Sequence, residues 1–293
     1  MGHFNRRDFL KTTAAAAAGS ILPAHAFAKR SATDWVTLGN SGVKVTRLAF
    51  GTGTFGGKVQ RELGQDGFTR LVRHAYDRGI RFFETAQNYT GMHEMLGIAL
   101  KGIPRDSYRL MTKYRLRNTE DPKEVIDRYR KELNSEYFDI LLLHCVRTTD
   151  WAKEYERQRD AFSEAKQKKI ILAHGASGHG LLPVRAFPGQ KWLDVALMRV
   201  NHDGTKMDNI QGRDNDPGVV EEPVEIISKV HKQKTGVIGM KIIGEGAFKS
   251  PEQRDASIKF VMKLGTVDSV TIGFKSPEEI DEAIQRMNTH LNS

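Results

Sequence analysis

A carboxylate, a phenol, an ammonium and an imidazole stand at or just past the ends of short apolar runs in the first half of the chain. Glu84 follows Phe82-Phe83, and Tyr89 comes five residues later. Lys113 ends Arg109-Leu110-Met111-Thr112-Lys113, and His144 ends Ile140-Leu141-Leu142-Leu143-His144. Together these groups could reduce a carbonyl, which needs a proton donor facing the same C=O as a hydride donor. A free phenol has a pKa near ~10, too high for efficient donation at neutral pH. An ammonium within about 4–6 Å favours phenolate and lowers that value. Lys113 is placed to act in this way on Tyr89, with Glu84 holding the ammonium charged and oriented. His144 would hydrogen-bond the substrate oxygen and polarise it. Taken singly, Tyr89 also reads as a core phenol and His144 as a satisfied core histidine. A buried lysine without a role is harder to accept, because burying an unpaired ammonium is expensive. Recurrence at consecutive strand ends is what favours the chemistry.

The elements that must position these groups alternate regularly. Strands are expected at 47–51, 81–85, 108–113, 138–144, 170–175, 194–200, 236–242 and 268–273. Helices are expected near 66–79, 92–101, 122–134, 155–168, 222–234, 254–264 and 277–288, while Pro183 and Pro188 limit any helix between 175 and 194. Runs such as Ile140-Leu141-Leu142-Leu143 are apolar without alternation, the mark of strands buried on both faces in a parallel sheet. Eight such strands, each followed by helix or loop, predict an α/β fold, a (β/α)₈ barrel with its chemistry at the C-terminal ends of the strands. An open doubly wound sheet is the competitor, but no G-x-G-x-x-G opens a helix after the first strand. Ahead of the barrel, two β-rich runs flank a turn containing Asn40 and Gly42, which reads as a hairpin.

Residues 1–28 read as an address. Asn5-Arg6-Arg7-Asp8-Phe9-Leu10-Lys11 matches the twin-arginine pattern, an alanine-rich stretch follows, and Ala26-Phe27-Ala28 offers a signal-peptidase site. The apolar stretch is too short and weak to remain as a spanning helix. The expectation is export to the periplasm through the twin-arginine machinery, with residues 29–293 forming the barrel. The net charge is +9, of which the leader supplies +2 through Arg6, Arg7 and Lys11 against Asp8. The remaining basic residues are scattered among acids, as in Asp127-Arg128-Tyr129-Arg130-Lys131-Glu132, so nucleic acid is not an expected partner. A single cysteine, Cys145, excludes an intramolecular disulfide and cysteine-ligated metal sites built within one chain. His174, His179 and His202 lie near the expected catalytic face without metal-ligand spacing, and no metal is expected.

The segments LGNSGVKVTRLAFGTGTFG, GIRFFETAQNY, RLMTK, FDILLLH and VTIGFKSPEEIDEA together resemble the aldo/keto reductases, in the subset that carries a twin-arginine signal. The resemblance runs from about residue 35 to the C-terminus. It implies a (β/α)₈ barrel whose N-terminal hairpin closes the bottom, and metal-free, NADPH-dependent reduction of aldehydes or ketones. Tyr89, Lys113 and His144 fall on three members of the family's catalytic tetrad; the fourth is Glu84 where aspartate is usual. The extra methylene predicts a Lys113 that is held less rigidly or shifted.

Around the nicotinamide the chain departs from the family. The usual Ser-Asn pair is Ser177-Gly178, the usual glutamine aligns with Leu197, and the stacking aromatic before Asn201 is Val200. Ser177 and Asn201 are the candidates left on that side. Lys241, followed by Gly244-Glu245-Gly246, reads equally as a counter-charge for a pyrophosphate or as a rim lysine paired to a carboxylate. At the other end, Lys275 and Ser276 fall where the family binds the adenosine 2′-phosphate, and Glu282 where it contacts adenine. Ser276, Pro277 and Glu279 also read as a capping box. Glu279 stands where the family often has a second arginine, which predicts NADP(H) with NAD(H) as a close alternative. The substrate expected is small and polar, with a sugar as one candidate on the strength of Asn88, His93, His202 and Asp203. The competing reading is a non-catalytic barrel that binds a cofactor or ligand as a sensor.

Overall fold

A computed structural model describes residues 29–213 and 216–293; the expected leader, 1–28, lies outside the described residues. The chain opens on an antiparallel hairpin, β1 (Trp35–Thr37) with β2 (Lys44–Thr46). Eight parallel strands follow: β3 (Leu48–Gly51), β4 (Phe82–Glu84), β5 (Arg109–Arg115), β6 (Phe138–Val146), β7 (Ile171–Gly178), β8 (Val195–Arg199), β9 (Gly236–Met240) and β10 (Ser269–Gly273). They close in chain order into a barrel, β10 pairing with both β9 and β3. The longer helices covering it are Gly64–Asp77, Met92–Leu100, Pro122–Glu132, Glu156–Gln167, Glu221–Lys232, Pro251–Leu264 and Pro277–Leu291.

The strands are apolar on both faces because each face packs against something different. Ala49, Phe82, Met111, Ile140, Leu142, Ala173, Val195, Leu197 and Ile238 fill the barrel interior. Leu38, Val43 and Val45 of the hairpin belong to the same interior cluster, so the hairpin plugs the end where the strands begin. The intervening residues, among them Phe50, Phe83, Leu141 and Val237, pack outward against Phe68, Leu96, Phe162 and Ile227 of the helices. Alternation is thus present, but it sorts inside from outside and not apolar from polar.

Element boundaries differ from expectation where local chemistry was misread. The helix expected at 155–168 runs Glu156–Gln167, and a further turn of helix, Trp151–Glu154, precedes it, joined at Tyr155 (φ −109°, ψ 32°). A one-turn helix, Leu181–Arg185, includes Pro183, whose missing N–H costs nothing in a first turn. The helix expected from 254 begins at Pro251, because Ser250 and Gln253 form a capping box. The box expected at Ser276 is absent: the Glu279 carboxylate accepts from the Lys275 N–H at 2.9 Å, one residue upstream of the cap.

Candidate active site

Successive side chains on a strand point to opposite faces, so residues two apart share one. Phe82, Met111 and Leu142 face the barrel interior. Glu84, Lys113 and His144 therefore also face inward, one layer closer to the C-terminal mouth. His144 needs one further adjustment. The register of β6 against β7 shifts between Leu143 and Val146, where Cys145 has φ +65°. A bulge of this kind re-aims the side chain beside it. Ser177 on β7 stabilises it, its hydroxyl accepting from the Cys145 N–H at 2.8 Å. Tyr89 comes from the loop after β4. Its ring lies against Gly53, where an added Cβ would come within 2.5 Å of the phenol carbon.

These four groups meet. Lys113, 1% exposed, donates to the Glu84 carboxylate, to the Thr85 carbonyl at 3.0 Å and to the Tyr89 hydroxyl at 3.2 Å. Three acceptors for three N–H groups leave the ammonium satisfied although buried. The His144 ring stands edge-on to Tyr89, with centroids 5.6 Å apart.

Burial sets the protonation states. It pushes the Tyr89 phenol well above its ordinary value, and the Glu84 charge adds to the shift. The expected lowering by Lys113 does not prevail, because burial first and then the Glu84 charge push the phenol the other way. Burial also lowers Lys113, against an opposing pull from Glu84. His144 is held well below its ordinary value, first by burial and then by the Lys113 charge. At neutral pH the phenol is protonated and the His144 imidazole is neutral.

From Glu84, Tyr89 and Lys113 a groove of about 370 Å³ runs past Leu197 and Lys241 to Arg254, Lys275, Glu279, Glu282 and Arg286. Six cationic side chains and four carboxylates line it, and the carboxylates engage most of the cations. Lys241 (φ +64°) pairs with Glu245 at 2.8 Å, and Glu282 holds both Arg254 and Arg286 at 2.8 Å. Lys275 lies 3.7 Å from Glu279. A surplus of cations leading to the start of the helix Pro277–Leu291 fits a ligand carrying several phosphate charges, such as a nicotinamide dinucleotide.

Other candidates fall elsewhere. Ser276 holds the N-cap position of that helix without a side-chain cap bond and is not among the lining residues. Ser177 is engaged with the bulge. Asn201, fully buried, donates to the Thr205 and Lys241 carbonyls and accepts from the Asp203 and Gly204 N–H groups. His174 stacks on Trp192 at 4.3 Å, and His202 meets Phe248 edge-on at 5.1 Å. Among the described residues, no three His, Cys, Asp or Glu side chains gather as a metal site would require.

Two inward residues escaped sequence reasoning. Arg199 on β8, 2% exposed, donates to His179 Nδ1 at 2.6 Å, and the His179 ring lies 6.5 Å from His144. A guanidinium only donates, so Nδ1 accepts and the His179 proton sits on Nε2. Thr271 on β10 donates to Glu84 Oε2 at 3.2 Å. Counting two residues on from Leu197 and from Ser269 would have found both.

A closed eight-stranded parallel barrel thus carries an N-terminal hairpin at one end and an inward cluster of Glu84, Lys113, Tyr89 and His144 at the other. The aldo/keto reductase family profile matches residues 47–262, and the chain belongs to that family. The twin-arginine translocation signal profile matches residues 3–23. Over 160 residues the chain is 36% identical to L-galactose dehydrogenase of Arabidopsis thaliana, covering 51% of this chain and 49% of that one. Over 174 residues it is 29% identical to probable aldo-keto reductase 1 of Glycine max, covering 52% and 49%. The alignments thus span about half the length of these relatives. Among solved structures, the holo form of a Bacillus halodurans aldo-keto reductase superposes with a TM-score of 0.69 at 18% identity, covering 88% of this chain and 95% of that one. A Klebsiella pneumoniae aldo-keto reductase in complex with NADPH gives 0.64 at 14%, covering 89% and 90%. At such identities the likeness establishes the fold.

Proposed function

We propose that this protein reduces the carbonyl of a small polar substrate with a nicotinamide coenzyme, or oxidises the corresponding alcohol, after export to the periplasm. The observation that carries this reading is the contact of Tyr89, Lys113 and Glu84 at the end of a cation-lined groove. NADP(H) or NAD(H), bound along that groove, would supply or accept the hydride. Lys241 and Lys275 are the residues proposed to meet its phosphates, with Glu282 towards the adenine. Tyr89 holds the proton to be given to the carbonyl oxygen. Lys113 donates to the same hydroxyl, so it stabilises the phenolate left after transfer, and Glu84 keeps Lys113 charged. His144, neutral, hydrogen-bonds the substrate oxygen and orients it. Tyr89 is a weaker acid than an unperturbed phenol, but it is fully protonated when the carbonyl arrives.

One observation favours a second reading. Ser177 and Asn201 are turned to backbone groups and not to the groove, so little is left to fix a nicotinamide amide. On that reading the barrel binds a dinucleotide or other ligand without turnover, as a sensor. Titrating NADPH into the protein by fluorescence, then following its oxidation with a panel of aldehydes and sugars, separates the two. Binding with turnover supports the reductase. Binding without turnover across the panel supports the sensor, and no binding of NADPH or NADH defeats the reductase and leaves a sensor only for some other ligand.

A further inference from the structure

Glutamate is one methylene longer than the aspartate usual at this place in the family, yet Lys113 is fully engaged with its three acceptors. The reason lies on β3 and β10, the next two strands round the barrel from β4 on the side away from Lys113. Glu84 has two hydrogen-bond partners for its carboxylate among the described residues: Lys113 on one oxygen and the Thr271 hydroxyl, at 3.2 Å, on the other. A carboxylate only accepts, so Thr271 is the donor. Space for the longer side chain comes from Gly51 on β3. A Cβ there would lie 2.7 Å from Thr271 Oγ1 and 3.1 Å from Glu84 Oε2, closer than either could tolerate without moving. Gly51, Glu84 and Thr271 all line the groove beside Lys113 and Tyr89.

We propose that Thr271 is a positioning residue for the proton-donating pair: its hydroxyl, with the space left by Gly51, holds Glu84 so that a glutamate can orient Lys113. The longer side chain reaches over Gly51 on β3 until Oε2 meets β10, and this second anchor fixes the torsion that would otherwise leave Oε1 loose against the ammonium. Thr271 acts through Glu84 and touches no reacting atom. The proposal rests on the reductase reading for its kinetic consequence, but not for its effect on Lys113.

The test is a cycle of Thr271→Val, Glu84→Asp and the double variant, with Thr271→Ser as the conservative control. An aspartate is too short to reach Thr271, so losing the hydroxyl should matter only when residue 84 is glutamate. With NADPH and 4-nitrobenzaldehyde as probe, Thr271→Val should lower kcat roughly tenfold, with KM and coenzyme Kd within about twofold of wild type. Thr271→Ser should restore kcat. In the Glu84→Asp background the same substitution should change kcat less than about twofold. In parallel, NMR of [¹³Cε]lysine-labelled protein, with the Lys113 signal assigned by its loss in Lys113→Met, should show its titration midpoint moving in Thr271→Val. It should stay put when Thr271→Val is added to Glu84→Asp. Equal effects in both backgrounds, or none in either, would overturn the proposal. If the wild type reduces no carbonyl, the reductase reading fails while the NMR arm still decides on Thr271. Should Thr271→Val not fold, Gly51→Ala probes the same cradle. It should shift the Lys113 signal with glutamate at 84 and leave it near its parent with aspartate; a shift of equal size in both would again refute the proposal.

Discussion

If the groove takes a nicotinamide coenzyme as proposed, its preference should depend on one carboxylate. Glu279 accepts from the Lys275 N–H at 2.9 Å, the type of donor a 2′-phosphate would use at this helix start, and its other oxygen lies 3.7 Å from the Lys275 ammonium. Displacing it costs a phosphate one net hydrogen bond, about 0.5–1.5 kcal/mol. Its charge at an exposed helix N-terminus opposes a second anion by about 0.3–1 kcal/mol. Arg254 and Arg286, two further cations at this end, are already held by Glu282. Together these terms offset the attraction of Lys275, so NADP(H) and NAD(H) should bind within roughly tenfold of each other, equivalent to about 1.4 kcal/mol. Glu279→Arg removes both penalties and adds a donor. The affinity ratio should move at least about tenfold towards NADP(H), while the melting temperature falls by no more than a few degrees. Fluorescence titration of both coenzymes into both proteins measures this. An unmoved ratio would mean that the carboxylate never meets the phosphate.

Other outcomes are expected from the same geometry. Glu84→Leu strands the buried Lys113 ammonium and should cost about 3–5 kcal/mol in urea unfolding, most of it recovered in Glu84→Leu/Lys113→Met; a single variant as stable as wild type would show that the pair is not buried in solution. Because the Tyr89 phenol is raised and the His144 imidazole lowered, kcat/KM for reduction should be flat from about pH 7 to pH 9, with no inflection near the ordinary histidine value of about 6.5. A titration of activity centred there would mean that His144 must be charged or lies in water. Replacing Arg6 and Arg7 by lysine should leave precursor in the cytoplasm, and unchanged periplasmic protein on immunoblots would contradict export by the twin-arginine route.

Much of the barrel is legible in the sequence because parallel strands buried on both faces read as unbroken apolar runs. The same property hides the site. Within Ser269–Gly273, hydropathy does not reveal which residues point inward, so Thr271 passes unnoticed, and Arg199, although a charge at the end of Val195–Arg199, is marked as inward only by its two-residue spacing from Leu197. The capping box illustrates a different limit. Ser-Pro-x-Glu at 276–279 and Ser-Pro-x-Gln at 250–253 look alike, yet only the second closes, because Glu279 finds the Lys275 N–H first. The rise in the Tyr89 pKa was not readable either. It depends on how dry the pocket is and on the Glu84 charge beside the phenol, both properties of the folded mouth.

On the reductase reading Tyr89 gives its proton to a carbonyl, and single-turnover reduction by the Tyr89→Phe variant shows whether it does. The substitution removes one hydroxyl and little volume, so NADPH should bind with near wild-type affinity and the barrel should melt normally. With an aldehyde that the wild type reduces, hydride transfer should slow by roughly 10²–10⁴-fold, the usual contribution of a positioned acid. A Tyr89→Phe protein that binds NADPH and reduces the same aldehyde at nearly the wild-type rate would contradict the account.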